Sequence, residues 1–235
     1  MSLKNWDNKT WLSSNNYIRS FNNFLLKQIK LNENSQILDI GCGRGKILGN
    51  LSSILNLKNK PIGLDIQNHK DRDKRVFFKK IEGLKFLKKN KKKFDLILIK
   101  QTIHLFKMND IKKLLRLSIK SLNSKGKIFI FSLEQKNNEL PTFSKMKLKL
   151  NKSLLRDKKI FKLIFKCFKK RRLINFNFKV KIPKKKYSEM INNRYTTILF
   201  NFSKKELYLG LEEIDSKYNN MIRFNDKLKC IILRK

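Results

Sequence analysis

The sequence predicts an α/β fold, a mostly parallel sheet covered by helices. Short apolar runs alternate with longer stretches of helical period, which calls for right-handed crossovers between parallel strands. Four of the eight glycines in a glycine-poor chain crowd into nine residues, Gly41, Gly43, Gly45 and Gly49, directly after the first apolar run. The second run ends in an acid, Asp65. A strand, a glycine turn, a helix and a second strand ending in a carboxylate form a ligand-binding arrangement at the carboxyl edge of such a sheet.

A first helix carries Ile18, Phe21, Leu25 and Ile29 on one side. The strands follow at Gln36–Ile40, Pro61–Asp65, Val76–Ile81, Phe94–Ile99 and Lys127–Leu133. Helices are expected between them at Lys46–Leu57, Gly83–Asn90 and Asn109–Leu122. In the last, Ile111, Leu114, Leu115 and Ile119 hold one face. The pattern then changes. From Lys145 to Lys186 there are 18 Lys and Arg and a single acid, Asp157. Apolar residues there, from Leu154 to Phe168, keep helical spacing, which predicts a basic amphipathic helical insertion. Asn175–Ile182 alternates as a strand does. Pro183 suits the first turn of a helix running through Met190 and Tyr195. Ser203 and Glu206 form a capping box that opens a helix to about Tyr218. Met221–Phe224, Asn225-Asp226 and Leu228–Leu233 read as a terminal hairpin.

The 235 residues suit one domain, and 40% hydrophobic content with 18 phenylalanines supplies a core. Cys42, Cys167 and Cys230 are too scattered for a disulfide scaffold. With only His69 and His104 beside them, no metal site is expected. No apolar run spans a bilayer, and the polar segment from Met1 to Tyr17 lacks a signal-peptide core, so the expectation is a soluble cytoplasmic protein without membrane insertion. The net charge of +39 favours polyanions. The same Lys-, Asn-, Ile- and Phe-rich composition also follows from A/T-rich codons, so charge alone decides nothing.

Glycines at 41, 43 and 45 let backbone approach a ligand closely, and the helix start favours its anionic part. Asp65 can accept both hydroxyls of a ribose. A dinucleotide fingerprint of the form G-x-G-x-x-G is excluded, because Lys46 stands where its third glycine belongs.

These residues resemble the class I S-adenosylmethionine-dependent methyltransferases. LDIGCGRG at 38–45 matches the family's first motif and GLDI at 63–66 its second. FDLILIKQTIHLF at 94–106 looks like the fourth, and the turn at Lys125–Phe129 the fifth. The segment 192–214, with its Arg-Tyr pair and capped helix, is similar to a bacterial subgroup of small-molecule type. The resemblance implies a Rossmann-like seven-stranded sheet with helices on both faces, a basic helical cap, and a final strand inserted antiparallel. Its single domain divides into N-terminal lid helices (1–35), a cofactor-binding core (36–134), a substrate cap (140–200), and a C-terminal helix and hairpin (201–235).

For the cofactor, S-adenosyl-L-methionine, the resemblance implies contacts from Asp39, Gly41, Cys42, Gly43, Gly45, Asp65, Ile66 and Lys100. Glu82 is the candidate for the adenine amino group, against a plain surface charge at a helix start. Cys42 is expected as a small filler, not a nucleophile. His104, after the fourth strand, is the candidate base or substrate contact, against a backbone-bonded structural role; its ordinary pKa of about 6.5 suits a base. Arg194 and Tyr195 are candidates for substrate contact, Tyr195 also for catalysis; a surface arginine beside a core tyrosine is the alternative. Tyr17 and Trp11 either stack on the sulfonium or pack in the core. His69 reads as surface.

The function expected is methyl transfer to a small-molecule acceptor bearing an anionic group. RNA methylation is the rival, with the stretch 145–186 tracking phosphates and Phe161, Phe165 and Phe168 stacking bases. Further readings are a cofactor-binding protein without catalysis, and peripheral attachment to membrane through the basic helices. Acceptor atom and oligomeric state stay open at this level.

Overall fold

The computed structural model describes residues 10–235; the first nine residues of the polar N-terminal segment lie outside that range. After a short 3-10 turn at Trp11–Ser13 come α1 (Asn15–Leu26), β1 (Ile37–Ile40), α2 (Lys46–Ile54), β2 (Ile62–Asp65), β3 (Phe77–Lys80), α3 (Gly83–Lys89) and β4 (Phe94–Lys100). They are followed by α4 (Met108–Lys120), β5 (Leu122–Leu133), α5 (Ser144–Cys167), β6 (Arg171–Pro183), α6 (Lys184–Asn192), α7 (Lys204–Lys217) and β7 (Met221–Arg234). The sheet runs β3-β2-β1-β4-β5-β7-β6. Strands β1 to β5 pair in parallel, and β7 lies antiparallel between β5 and β6.

Apolar side chains fill both faces. On one, Phe21 and Leu25 of α1, Leu48 and Leu51 of α2, and Met190 and Ile214 from α6 and α7 meet Leu96, Phe129 and Phe131. On the other, Leu84, Leu114, Leu115, Ile160 and Ile164 from α3, α4 and α5 meet Leu38, Ile97 and Ile130. The centre of β4, residues 96–99, is buried on both faces and for this reason reads as an unbroken apolar run.

The terminal hairpin is corrected. The terminal segment is one 14-residue strand, not a hairpin. Asn225 and Asp226 stay in register opposite Lys179 and Phe178, and neither takes the positive φ of a tight turn. Their polar groups are satisfied elsewhere: Glu139 accepts from the Asn225 main chain and side chain, and Asp226 accepts from the Trp11 indole. The basic stretch forms the helix expected of it, α5, and the expected strand, which runs longer as β6. The C-terminal half of α5 covers the sheet through Ile160, Phe161 and Ile164, and β6 forms the sheet's edge. There its exposed Arg172, Lys179 and Lys181 discourage edge-to-edge pairing. Phe161 is buried in the core, and Phe165 and Phe168 pack against it half-buried. The capping box of α7 forms as read, with Ser203 and Glu206 bonded reciprocally. The helix opened after Pro183 stops at Asn192, so Tyr195 lies beyond it.

Candidate functional site

At the carboxyl end of β1 the chain turns through Gly41, Gly43 and Gly45 at φ of 80°, 54° and 71°, conformations that only glycine adopts freely. The turn is laced to the end of β2. The Gly41 and Cys42 amides donate to the Leu64 carbonyl at 2.8 and 2.9 Å. The Gly43 amide donates to Asp65 Oδ2 at 2.8 Å, and the Gln67 amide to Asp65 Oδ1 at 2.9 Å. Gly45 caps α2 and faces Val76 instead of the open side. Cys42 packs its sulfur over Gly63, where an added Cβ would sit only 2.7 Å from Sγ. Burial, with Asp39 and Asp65 nearby, pushes that thiol up, so it stays protonated.

The turn opens onto a cavity of about 810 Å³, whose wall includes Asp39, Gly41, Cys42, Gly43, Asp65, Ile66, Glu82 and Lys100. Leu12, Ser13, Leu105, Phe106 and Thr197 close its other side. Asp39 is 4% exposed, and its Oδ1 has no hydrogen-bond partner. Burial raises its pKa to about 7, with Lys100 opposing and Asp65 adding to the shift. Lys100 reaches over the rings of Tyr17 and Phe21 at 5.2 and 5.5 Å and donates to Gln101 Oε1 at 3.2 Å. Burial lowers its pKa, while Asp226 and Asp39 hold it up.

Between the ordinary aspartate range and about 7, the folded protein keeps a proton on Asp39 that the unfolded chain has released. This group's contribution to stability therefore falls as pH rises across that window. Asp39→Asn is expected to remove the dependence, so the variant's thermal midpoint gains on the wild type from pH 5 to pH 8. Parallel curves would contradict the assignment.

Several candidates stand apart from the cavity wall, and each has a packing reason. Tyr17 is fully buried against Phe21, Phe176 and Phe178, its hydroxyl near Asp226. The Tyr195 hydroxyl is buried against that of Tyr187 at 2.9 Å, and Tyr187 in turn donates to the Pro141 carbonyl. Burial holds the Tyr195 phenol well above its usual range. Arg194 donates to the Phe202 carbonyl at 2.7 Å. Trp11 packs edge-on against Tyr195 and Phe224. His104 lies in a 3-10 turn at Ile103–Leu105, just behind the wall residues Leu105 and Phe106. Burial and the Arg156 charge lower its pKa, leaving the imidazole neutral near pH 7.

Two residues were misjudged from sequence. His69 is 8% exposed and lines the cavity, because the loop after β2 folds back over the glycine turn. The Asp73 amide donates to the Arg44 carbonyl at 2.8 Å, and Arg44 pairs with Asp71 at 2.8 Å. Burial first and Arg44 second lower the His69 pKa. Asp226, read as a turn residue, is a buried acid behind Lys100 that accepts from Trp11 Nε1 at 2.9 Å. One signal was available for it: Ile222, Phe224, Asp226, Leu228 and Cys230 keep an unbroken period of two.

A family model described as a methyltransferase domain matches residues 31–208. No curated protein sequence matches the chain. Among solved structures, the plantazolicin methyltransferase BpumL, in complex with a monoazolic desmethylPZN analog and SAH, is 17% identical. That match covers 98% of this chain and 88% of that one, with a TM-score of 0.55. A putative methyltransferase from an antibiotic biosynthesis pathway of Anabaena variabilis is 15% identical over 92% and 96% of the two chains, at 0.63. A SAM-dependent methyltransferase from Geobacter sulfurreducens, in complex with S-adenosyl-L-homocysteine, is 13% identical over 94% and 90%, at 0.53. These likenesses establish the shared fold.

Proposed function

The chain belongs to the methyltransferase-domain family, and from that premise we propose that it moves a methyl group from S-adenosyl-L-methionine to a small-molecule acceptor bearing an anionic group. The observation that carries this reading is the pair of carboxylates beside the glycine turn, one buried with an unengaged oxygen. Asp65 spends one lone pair of each oxygen on the Gly43 and Gln67 amides. A carboxylate has about four acceptor sites, so two remain for the ribose hydroxyls. Asp39 Oδ1 is the acceptor for the cofactor's amine, whose charge would favour the ionised carboxylate. The glycine turn admits the methionine part closely, Ile66 flanks the adenine, and Glu82 takes its amino group. Lys100 meets the cofactor's carboxylate.

The bound cofactor supplies a methyl on a sulfonium, a good leaving group already. The residues here align the acceptor with that methyl and keep water out. Leu105, Phe106 and Leu12 supply the apolar part of the wall. Lys107, at the same rim, supports an anionic acceptor by charge. Tyr17, Arg194 and Tyr195 act on this reading by holding the wall in place, and Arg156 ties down the turn that carries His104 and Leu105. Residues 36–134 are the cofactor-binding core, and the region 140–200 contributes Thr197 to the acceptor side. Solved likenesses that carry SAH, one of them beside a desmethylPZN analog, support the cofactor and the small acceptor.

The RNA reading needed phenylalanines free to stack bases, and Phe161 lies in the core. The deciding experiment incubates the chain with methyl-labelled cofactor and an extract of the source cells, then separates the label by size. Label in the low-mass fraction is expected. Label in RNA would replace this reading with the rival one.

A further inference from the structure

We propose that the outer face of α5 docks on an anionic lipid bilayer and brings the mouth of the main cavity to the membrane surface. Docking stands independently of the methyl-transfer reading; only the delivery of an amphipathic acceptor from the bilayer rests on it. The only acid in α5, Asp157, is buried, so every charged group the helix presents to solvent is a cation, Lys152, Lys158, Lys159 and Lys162 among them. Lys145, near its start, is tied to Glu206.

Charge is not the discriminating feature in a chain of +39. What discriminates is two leucines. Leu148 and Leu155 are 64% and 60% exposed. Seven residues apart, they stand almost in line, about 10 Å from each other along the helix. Leu105, 61% exposed, belongs to the wall of the main cavity. Arg156, next to Leu155, binds the carbonyls of His104 and Phe106 at 3.1 and 2.8 Å, which joins the leucine-bearing face to that wall.

Beside Leu155 lies a second cavity of about 500 Å³. Lys136, Lys158, Lys162 and Lys229 ring it above Leu154 and Phe165, with Lys229 paired to Glu134 at 3.0 Å. Cations over an apolar floor fit a phosphate headgroup with the start of its acyl chains. An interfacial helix needs apolar side chains that enter the headgroup region between lysines that meet anionic lipid. A single-stranded RNA groove needs exposed aromatic faces instead. Here the exposed residues are aliphatic; Phe161 is buried, and the half-buried Phe165 ring already lies under the Arg171 guanidinium at 4.6 Å. No helix among the described residues is long and apolar enough to cross a membrane, so the contact is peripheral.

The test is co-sedimentation of the full chain with phosphatidylcholine vesicles, with and without about 30% phosphatidylglycerol. Binding is expected only to the anionic vesicles. The double variant Leu148→Ser/Leu155→Ser, at exposed positions that leave the core intact, should bind about tenfold more weakly. Lys88→Glu/Lys89→Glu, on α3 toward the other end of the sheet, removes more charge yet should change binding less than the leucine pair does. Equal binding by the leucine variant overturns the proposal, as does absence of binding. Tighter binding to a poly-uridine oligomer that ignores the leucines also overturns it, in favour of RNA. Methyl transfer to a soluble acceptor alongside failed vesicle binding would remove the docking and leave the enzyme; vesicle binding without transfer would do the reverse.

Discussion

Asp65→Ala is expected to weaken S-adenosylmethionine binding by about 2–4 kcal/mol, roughly 30- to 1000-fold, the order of several hydrogen bonds to a charged group. The effect exceeds that of a lost ribose contact because the same carboxylate anchors the glycine turn. Its two oxygens accept from Gly43 and Gln67, so removal frees the main chain on both sides of the pocket. Asp65→Asn keeps the shape and one acceptor, and should fall between alanine and wild type. Titration calorimetry reads both. An affinity within threefold of wild type for the alanine variant would remove Asp65 from the site.

Gly41→Ala should destabilise the fold by about 2–4 kcal/mol and abolish cofactor binding, since strain and overpacking add. Gly41 sits at φ 80°, and an added Cβ would lie 2.2 Å from Thr102 Oγ1 and 2.8 Å from Thr102 Cβ. Thr102→Gly in the same chain would relieve the clash and leave the dihedral strain. The double variant should therefore recover part of the thermal midpoint and not all of it. Full recovery would mean that the left-handed turn contributes nothing, and no recovery that Thr102 is not what the new methyl meets.

Local signals were enough for much of the architecture. The first five strands, the helices between them and the glycine turn are each written in consecutive residues, because a strand's apolar run or a helix's period needs no distant partner to be recognised. Ser203 and Glu206 announced α7 in the same way. The terminal strand failed this test. Asn225-Asp226 is a turn signal by composition, yet the ladder with β6, which runs unbroken through both residues, outweighed it. Edge and centre decide strand identity together with neighbours, and neighbours are set by topology.

Likewise the insertion was legible as a basic helix followed by a strand at Asn175–Ile182, though the strand's place at the edge of the sheet was not. Its role depends on β7 returning from the end of the chain to pair along all of β6.

What the sequence determined by itself is the parallel core, the glycine turn after β1, and the carboxylate at the end of β2. All three are properties of one strand–turn–helix–strand stretch. What only the tertiary structure decided is which polar groups share a charge environment. Asp226 meets Trp11 across 215 residues, and Tyr195 gives its hydroxyl to Tyr187 instead of to the cavity. His69 is drawn inward when its loop closes over Arg44. Charge pairing acts through space, so even where a period of two marks Asp226 as inward-facing, no spacing along the chain names the partner it meets.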